Sequence, residues 1–512
     1  FAGHPALRSI AAISIFGIIA VVLVAYVLQP ILFRVFISGP VSEGCPPATI
    51  PGILRTAALF SMFAAGCIIT SLLIFPLYLV PVSRRRKSLC VSYVMHYMSR
   101  TILAAAAGIR KVRLNPEGED FRRPAIIVAN HQSFLDILMM LSLTPRMIMV
   151  TNGWVWNSPL FGRMIKYSGF ICTDDGYEYA LDKIKEKLAE GYCAVIFPEG
   201  TRSADGVIRR FHNGAFYIAE KAGADILPML LYGNWRAMPK KRPGYIRKSM
   251  VGYKVLPRIT PDDTSFGNAF NERTKSVCRY MREEYGMFCR ELDNAHNPYF
   301  RDALASAYVY KGPVTEWYMK VKLGMEDYYA VFDGILPRSG RITDIGCGMG
   351  ALCEMMSMLS PERKMTGIDY DEDKIAIASN IRIAGAHAEF ICADAVSCRL
   401  PESDAFVMND MLHYLSPEAQ ESLLSACSDS LAEGGIIVIR DGDSSMEGKH
   451  RLTRLTEVFS TKITGFNKTK GSLHFLSGER IRGMAASNGF SAKEMRNDRY
   501  TSNTIYILRR LP

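Results

Sequence analysis

Apolar positions along this chain fall into two patterns. Near the start they form long runs without charge: 25 residues separate Arg8 from Arg34, and 28 separate Arg55 from Arg84. Each run is long enough to cross a bilayer as a helix, although Pro76 and Pro81 interrupt the second. Both exceed the apolar core of a signal peptide, and no small-residue cleavage site follows the first, so they predict membrane helices. Farther on, short apolar runs alternate with helical periodicity. Residues 125–129, 146–150, 193–197 and 226–230 read as strands, and residues 137–141 and about 178–190 as helices. That alternation predicts an α/β domain over 96–292, and the pattern breaks around Asp293–Pro298. Residues 300–335 are helical in period and rich in tyrosine. A second strand-and-helix series then runs through 340–343, 365–368, 388–392, 405–408 and 435–439. Three regions follow: a membrane region over 1–95, an α/β domain over 96–292, and a second α/β domain over 296–512.

Charge narrows the partners. Lys and Arg total 61 against 50 Asp and Glu, a net +11, which favours an anionic surface. Between Arg84 and Arg123 stand ten basic and three acidic residues, directly after the second apolar run. This is a juxtamembrane basic patch, and it points to membrane lipids and away from nucleic acid. Arg84-Arg85-Arg86-Lys87 is expected on the cytoplasmic side, and residues 88–113 as an amphipathic helix at head-group level. Twelve cysteines show neither C-x-x-C pairs nor metal-ligand spacing, so they read as buried thiols in a reducing compartment, with no metal.

Candidate chemistry in the first domain begins at Asn130-His131-Gln132-Ser133-Phe134-Leu135-Asp136, between a strand and a helix. Residues five apart on one helix point about 140° away from each other. His131 and Asp136 therefore meet only if His131 sits in the turn and Asp136 in the first helical turn. Ser133, three residues before Asp136, makes a capping-box-like helix start that permits it. The strand ending at Phe197 runs into Pro198-Glu199-Gly200-Thr201-Arg202-Ser203, where Gly200 allows a tight backbone and Arg202 offers a fork of donors suited to phosphate. With Ile226-Leu227-Pro228, these blocks resemble, in order and spacing, the PlsC-like lysophospholipid acyltransferase family. The resemblance implies His131 as general base, Asp136 as its orienting carboxylate, and Glu199, Gly200, Thr201 and Arg202 as the substrate-binding turn. Glu199 is read as an orienting group within that turn. It also implies acyl-CoA or acyl carrier protein as donor. One departure stands out. The family carries an arginine after a stretch like Gly169-Phe170-Ile171-Cys172-Thr173, where this chain has Asp174-Asp175. Arg163 or Lys166 could substitute, or the acceptor is a different lipid.

In the second domain, a strand enters Asp344-Ile345-Gly346-Cys347-Gly348-Met349-Gly350, and Asp369 follows Gly350 by 19 residues, where a ribose-binding acid is expected. With Asp394 after the next strand, the series resembles a class I S-adenosylmethionine-dependent methyltransferase. The resemblance implies that Asp344, Gly346, Gly348 and Gly350 bind the methionine end of S-adenosylmethionine, Asp369 the ribose and Asp394 the adenine. His413, Tyr414, Asp441 and Asp443 follow strand ends and are candidates for the methyl-acceptor side. A nicotinamide-binding domain is the alternative to this reading.

The chain starts at Phe1, and His4-Pro5-Ala6-Leu7-Arg8-Ser9 with Gln29-Pro30-Ile31-Leu32-Phe33 resembles the last membrane helix of an RND/MMPL-type lipid exporter. The whole then resembles the C-terminal part of a trifunctional transporter, acyltransferase and methyltransferase. The expected protein is a multi-pass inner-membrane enzyme whose two catalytic domains face the cytoplasm. Two other readings are weighed: an active methyltransferase with a lipid-binding, non-catalytic acyltransferase-like domain, and the sensory tail of an exporter.

Overall fold

The computed structural model describes residues 4–43, 45, 47–241, 244–325, 328–383, 385–444, 473–496 and 503–511. It is mixed α/β and divides into two compact units, each built on its own sheet. One comprises Thr49–Asp293 with Asn297–Asp302; the other comprises Phe1–Ala48, Asn294–His296 and Ala303–Pro512.

The Thr49–Asp293 unit holds strands β1 (Ile109–Leu114), β2 (Ile126–Ala129), β3 (Met147–Thr151), β4 (Ile171–Cys172), β5 (Cys193–Ile196), β6 (Ile226–Tyr232) and β7 (Ser249–Val255), in the order β1-β7-β6-β2-β5-β3-β4. Every pairing is parallel except β6 with β7. Strand β2 is the hub. Its four residues, Ile126-Ile127-Val128-Ala129, are each 0% exposed, as a central strand covered on both faces requires. Because β2, β5 and β6 run parallel, the segments that leave them emerge on one edge: Asn130-His131, Phe197–Ser203 and Gly233-Asn234. Asn130 fastens the first to β6, donating from Nδ2 to the Leu231 carbonyl and accepting the Leu231 N–H at Oδ1.

The basic segment differs from the expected single amphipathic helix. A helix spans Arg84–Ala105, but Ile109–Leu114 is an edge strand paired in parallel with β7. The helix ends at Ala105, Gly108 at φ +78° redirects the backbone, and Ile109, Val112 and Leu114 are the buried or half-buried positions of the edge strand that follows. The helix itself packs against protein along Val91, Met95, Ile102 and Leu103. Before it, Ile50–Leu79 forms one helix with Pro76 in its last turn, and Leu59, Cys67 and Ile74 are buried. That helix and Pro5–Ser42 are both long and apolar enough to cross a membrane. The cysteines are all free, yet Cys90 and Cys392 are exposed, which corrects the expectation of uniformly buried thiols.

The other sheet contains β8 (Gly340–Ile345), β9 (Arg363–Asp369), β10 (Ala388–Cys392), β11 (Ser403–Asn409), β12 (Leu431–Gly442), β13 (Phe490–Arg496) and β14 (Asn503–Arg510), ordered β10-β9-β8-β11-β12-β14-β13. Strands β8 to β12 are parallel, and β14 enters antiparallel to both β12 and β13. The order reverses between β8 and β11, and a crevice opens at the carboxyl ends there, where doubly wound sheets bind ligands. The Tyr-rich segment is helical over Pro298–Ala307, Pro313–Met325 and Tyr328–Ile335. Tyr308 is buried and donates its hydroxyl to the Met349 carbonyl.

Candidate active sites

Asp136 is fully buried in the first turn of the Leu135–Leu141 helix, and four donors converge on it. Oδ2 accepts from His131 Nδ1 at 2.7 Å, Gln132 N at 2.6 Å and Ser133 N at 2.9 Å. Oδ1 accepts from Asn234 Nδ2 at 2.7 Å. The carboxylate thus reaches back to the backbone before the helix, as the acid of a capping box does, while Ser133 Oγ accepts from Leu135 N. A carboxylate accepts only, so His131 carries its proton on Nδ1 and leaves Nε2 basic. The imidazole stacks on Phe197, with centroids 4.2 Å apart and planes 16° apart, and is itself partly open. This fixes a base in position and in tautomer.

The turn after β5 completes this site. Ser203 N donates to the His131 carbonyl at 2.7 Å, and Gly200 sits at φ +67°, the left-handed region that favours glycine. Glu199 is buried against the backbone of both turns. It is 5% exposed, and its two oxygens accept from His131 N and Arg209 N, both at 2.9 Å. Burial pushes its pKa up, and those backbone donors oppose the rise. It clamps the two turns together, in keeping with an orienting role. Thr201 Oγ1 and the Arg202 carbonyl both accept from Lys240 Nζ at 2.9 Å. The Arg202 guanidinium has no hydrogen bond or ion pair among the described residues.

His131 and Gly200 line a cavity of about 240 Å³ whose other walls are largely apolar, including Met95, Phe134, Leu138, Met149, Phe161 and Met164. Neither Arg163 nor Lys166, the two proposed stand-ins for the missing arginine, lies on this cavity. Asp174 abuts the backbone of Gly153, where an added Cβ would meet its Oδ2 at 2.2 Å.

Sequence reasoning missed Gln132 and Asn234. Gln132 Oε1 accepts from Asn234 N at 3.0 Å and its Nε2 donates to the Tyr285 hydroxyl at 2.7 Å. The signal was available in Tyr232-Gly233-Asn234-Trp235, a polar residue behind a glycine turn at a central strand's carboxyl end. Asn234 is a positioning residue here, because it acts through Asp136. Asn234→Ala is expected to lower turnover at the His131 centre about tenfold with KM little changed. Asn234→Asp, which sets a second carboxylate against Asp136, should cost more. Steady-state kinetics on both variants checks this, and an unaltered kcat in Asn234→Asp would remove the assignment.

The second sheet carries a separate crevice of about 210 Å³, lined by Asp344, Gly346, Gly348, Asp369 and Asp394 together with newcomers such as Tyr328 and Asp410. The glycine turn is held by Gly346 N and Cys347 N, which donate to the Ile368 carbonyl at 2.8 and 3.1 Å. Asp369 Oδ2 accepts from Gly348 N at 2.8 Å, so the acid and the turn are one unit. Gly350 stands behind the wall. At φ +80° it precedes the Ala351–Leu359 helix, and a Cβ there would meet the Phe390 ring at 2.5 Å. Asp344 is 2% exposed; burial raises its carboxyl to about 7, partly offset by the Cys353 thiol, which donates to it. Asp410 lies at φ +55°, ion-paired with Arg440, whose guanidinium sits 4.5 Å from the Tyr328 ring centroid. Of the acceptor-side candidates, Tyr414 lines the crevice, whereas His413 is buried with Nδ1 2.7 Å from Asp441 Oδ1.

This crevice fits S-adenosylmethionine. At Gly348 a Cβ would project into open space, an acid ends β9 beside it, and a buried carboxylate at the floor suits the ligand's positive charge.

A base–carboxylate dyad on an apolar cavity and a glycine-turn crevice at a sheet reversal define two transferase centres of different kinds, one in each unit. Comparison with known proteins agrees. The acyltransferase family model matches residues 110–232, and a methyltransferase domain model matches residues 342–435. The 1-acyl-sn-glycerol-3-phosphate acyltransferase of Helicobacter pylori is 32% identical over 173 residues, covering 33% of this chain and 73% of that protein. A Chlamydomonas reinhardtii protein of the same description is 33% identical over 144 residues, which cover 27% of this chain and 43% of the relative. The magnesium protoporphyrin IX methyltransferase of Synechocystis, solved with S-adenosylhomocysteine, aligns with 19% identity and a TM-score of 0.30, covering 44% of this chain and all of that one. The chain belongs to the family of 1-acyl-sn-glycerol-3-phosphate acyltransferases, and it carries a methyltransferase domain besides. It spans less than half the length of the Chlamydomonas relative.

Proposed function

We propose that the first domain transfers an acyl group from acyl-CoA or acyl carrier protein to a hydroxyl of a lysophospholipid-like acceptor. The His131–Asp136 dyad on an apolar cavity is the observation that carries this reading. His131 Nε2 takes the proton of the acceptor hydroxyl as its oxygen attacks the thioester carbonyl. Asp136 stabilises the imidazolium, which then returns the proton to the departing thiolate. The acyl chain occupies the apolar cavity, and Thr201 and Arg202 hold the acceptor's phosphate beside the glycine turn. Acyl transfer from acyl-CoA to lysophosphatidate by the purified chain, read by mass spectrometry, tests the proposal; no product with either donor would refute it.

We further propose that the second domain methylates a lipid. S-adenosylmethionine, when bound, supplies an electrophilic methyl group. Asp344, Gly346 and Gly348 would hold its methionine end, with Gly350 shaping the turn from behind; Asp369 would hold the ribose and Asp394 the adenine. Asp344 gives this a pH signature. Its ionised form attracts the cationic ligand, so affinity should be full above about pH 7 and fall up to tenfold per pH unit below it. Calorimetric titration at several pH values checks this, and Asp344→Asn should flatten the profile.

Our reading places the chain in an inner membrane through its two apolar helices, both domains facing the cytoplasm, with the first helix derived from an exporter's last span. Exposed Cys90, beside Arg84–Lys87, offers a test. An impermeant thiol reagent should label it only in permeabilised cells, and labelling of Cys90 in intact cells would reverse the orientation.

A further inference from the structure

A second concavity, of about 390 Å³, lies where the Arg84 end of the Arg84–Ala105 helix meets the Gly162–Ser168 helix. Arg84, Arg163 and Lys166 line it with Trp156, Asn157 and Ser158, and among the described residues no carboxylate is in its wall. Its floor is tight: a Cβ on Gly162 would meet the Trp156 carbonyl oxygen at 2.7 Å. Lys166 Nζ donates to Asn157 Oδ1 at 3.2 Å and sits 5.4 Å from the Trp156 ring centroid. The Arg163 guanidinium lies 5.1 Å from the ring centroid of Phe75, on the apolar Ile50–Leu79 helix. Three cations facing one hollow repel one another, and a multivalent oxyanion relieves that repulsion while accepting from the Arg fork and the ammonium.

The surroundings decide which phosphate this is. Phe75, Leu72, Leu79, Val80 and Val82 are exposed at the same end of the apolar helix, and Trp154 is 76% exposed on the neighbouring turn. Cations ringed by exposed apolar and indole side chains are the composition of a surface at the level of lipid head groups. The Gly162–Ser168 helix separates this hollow from the His131 cavity, turning Met164 and Ile165 to the latter and Arg163 and Lys166 to the former. We propose that this concavity binds the phosphate of an anionic membrane lipid at a site separate from the His131 centre. The site needs no acyl transfer to operate, so it stands or falls apart from the reaction proposed above.

The test is direct binding by the full chain in detergent, followed by tryptophan fluorescence. Dihexanoyl phosphatidylglycerol is the probe, with dihexanoyl phosphatidylcholine, inorganic phosphate and CoA in parallel arms. Saturable binding of phosphatidylglycerol is expected, weaker by about tenfold or more for phosphatidylcholine and in an Arg163→Gln/Lys166→Gln variant. Both side chains are exposed, so the core is untouched, and Arg84→Gln repeats the test from another element. Unaltered binding in the double variant and in Arg84→Gln overturns the proposal. So does tighter binding of inorganic phosphate or CoA than of the lipid, which would make this a site for a soluble phosphate.

Discussion

His131→Ala is expected to lower acyl transfer by about 10³-fold or more, while leaving the chain folded and its S-adenosylmethionine affinity intact. Loss of a positioned general base costs about 10²–10⁴ in rate. The upper part of that range applies here, because the imidazole is held by Asp136 through Nδ1 and by the Phe197 ring, and Glu199 anchors the His131 backbone N–H. Stability should change little, since the ring is partly open and Asp136 keeps its other three donors. Asp136 is the less informative target. Fully buried under four donors, it cannot become alanine without orphaning two backbone N–H groups and the Asn234 amide, so lost activity there would mix chemistry with unfolding. Initial rates with lysophosphatidate and acyl-CoA, beside a thermal melt, separate the two effects. Retention of a tenth of the wild-type rate by a well-folded His131→Ala protein would remove the imidazole from the mechanism.

How much of this centre was legible in the sequence depends on how local each part is. The dyad was readable because a helix start fixes the relation of residues 131 and 136 within one turn. The glycine turns were readable because positive φ admits few residues, as Gly200 and Gly348 show. Asn234 could be picked out only as a polar residue behind a glycine turn; its pairing with Asp136 was not readable, because the two lie 98 residues apart and only the parallel register of β2 with β6 brings them together. The apolar cavity was hidden for the same reason: Met95, Leu138 and Met164 come from three helices whose inward faces no local pattern assigns. Ile109–Leu114 shows the opposite hazard. Its basic residues continued the composition of the preceding helix, and only the pairing with β7 and the turn at Gly108 made it a strand. Gly350 was drawn into the ligand set by the glycine spacing, although its role is to let Phe390 pack against the turn.

That difference among the glycines decides which substitution reads the second centre. Gly348→Val is expected to weaken S-adenosylmethionine binding about 100-fold, roughly 2.7 kcal/mol. Gly348 lines the crevice, and a Cβ there meets nothing within 4 Å among the described residues, so added methyl groups would compete for space with a ligand bound against the turn. Its backbone is at φ +56°, where a non-glycine residue costs about 1–2 kcal/mol, so a modest fall in melting temperature accompanies the loss. The N–H that donates to Asp369 survives the change, which keeps the turn attached to β9. The same substitution at Gly346 or Gly350 would be ambiguous, because a Cβ there collides with Met411 at 2.7 Å or Phe390 at 2.5 Å and disturbs the fold itself. Isothermal titration of the full chain with S-adenosylmethionine and S-adenosylhomocysteine measures the effect without requiring a known methyl acceptor. Acyl transfer by Gly348→Val should match wild type, since the dyad lies in the other unit. An affinity within threefold of wild type would show that the ligand does not approach this turn, and the nicotinamide alternative would then be tested by the same titration with NAD.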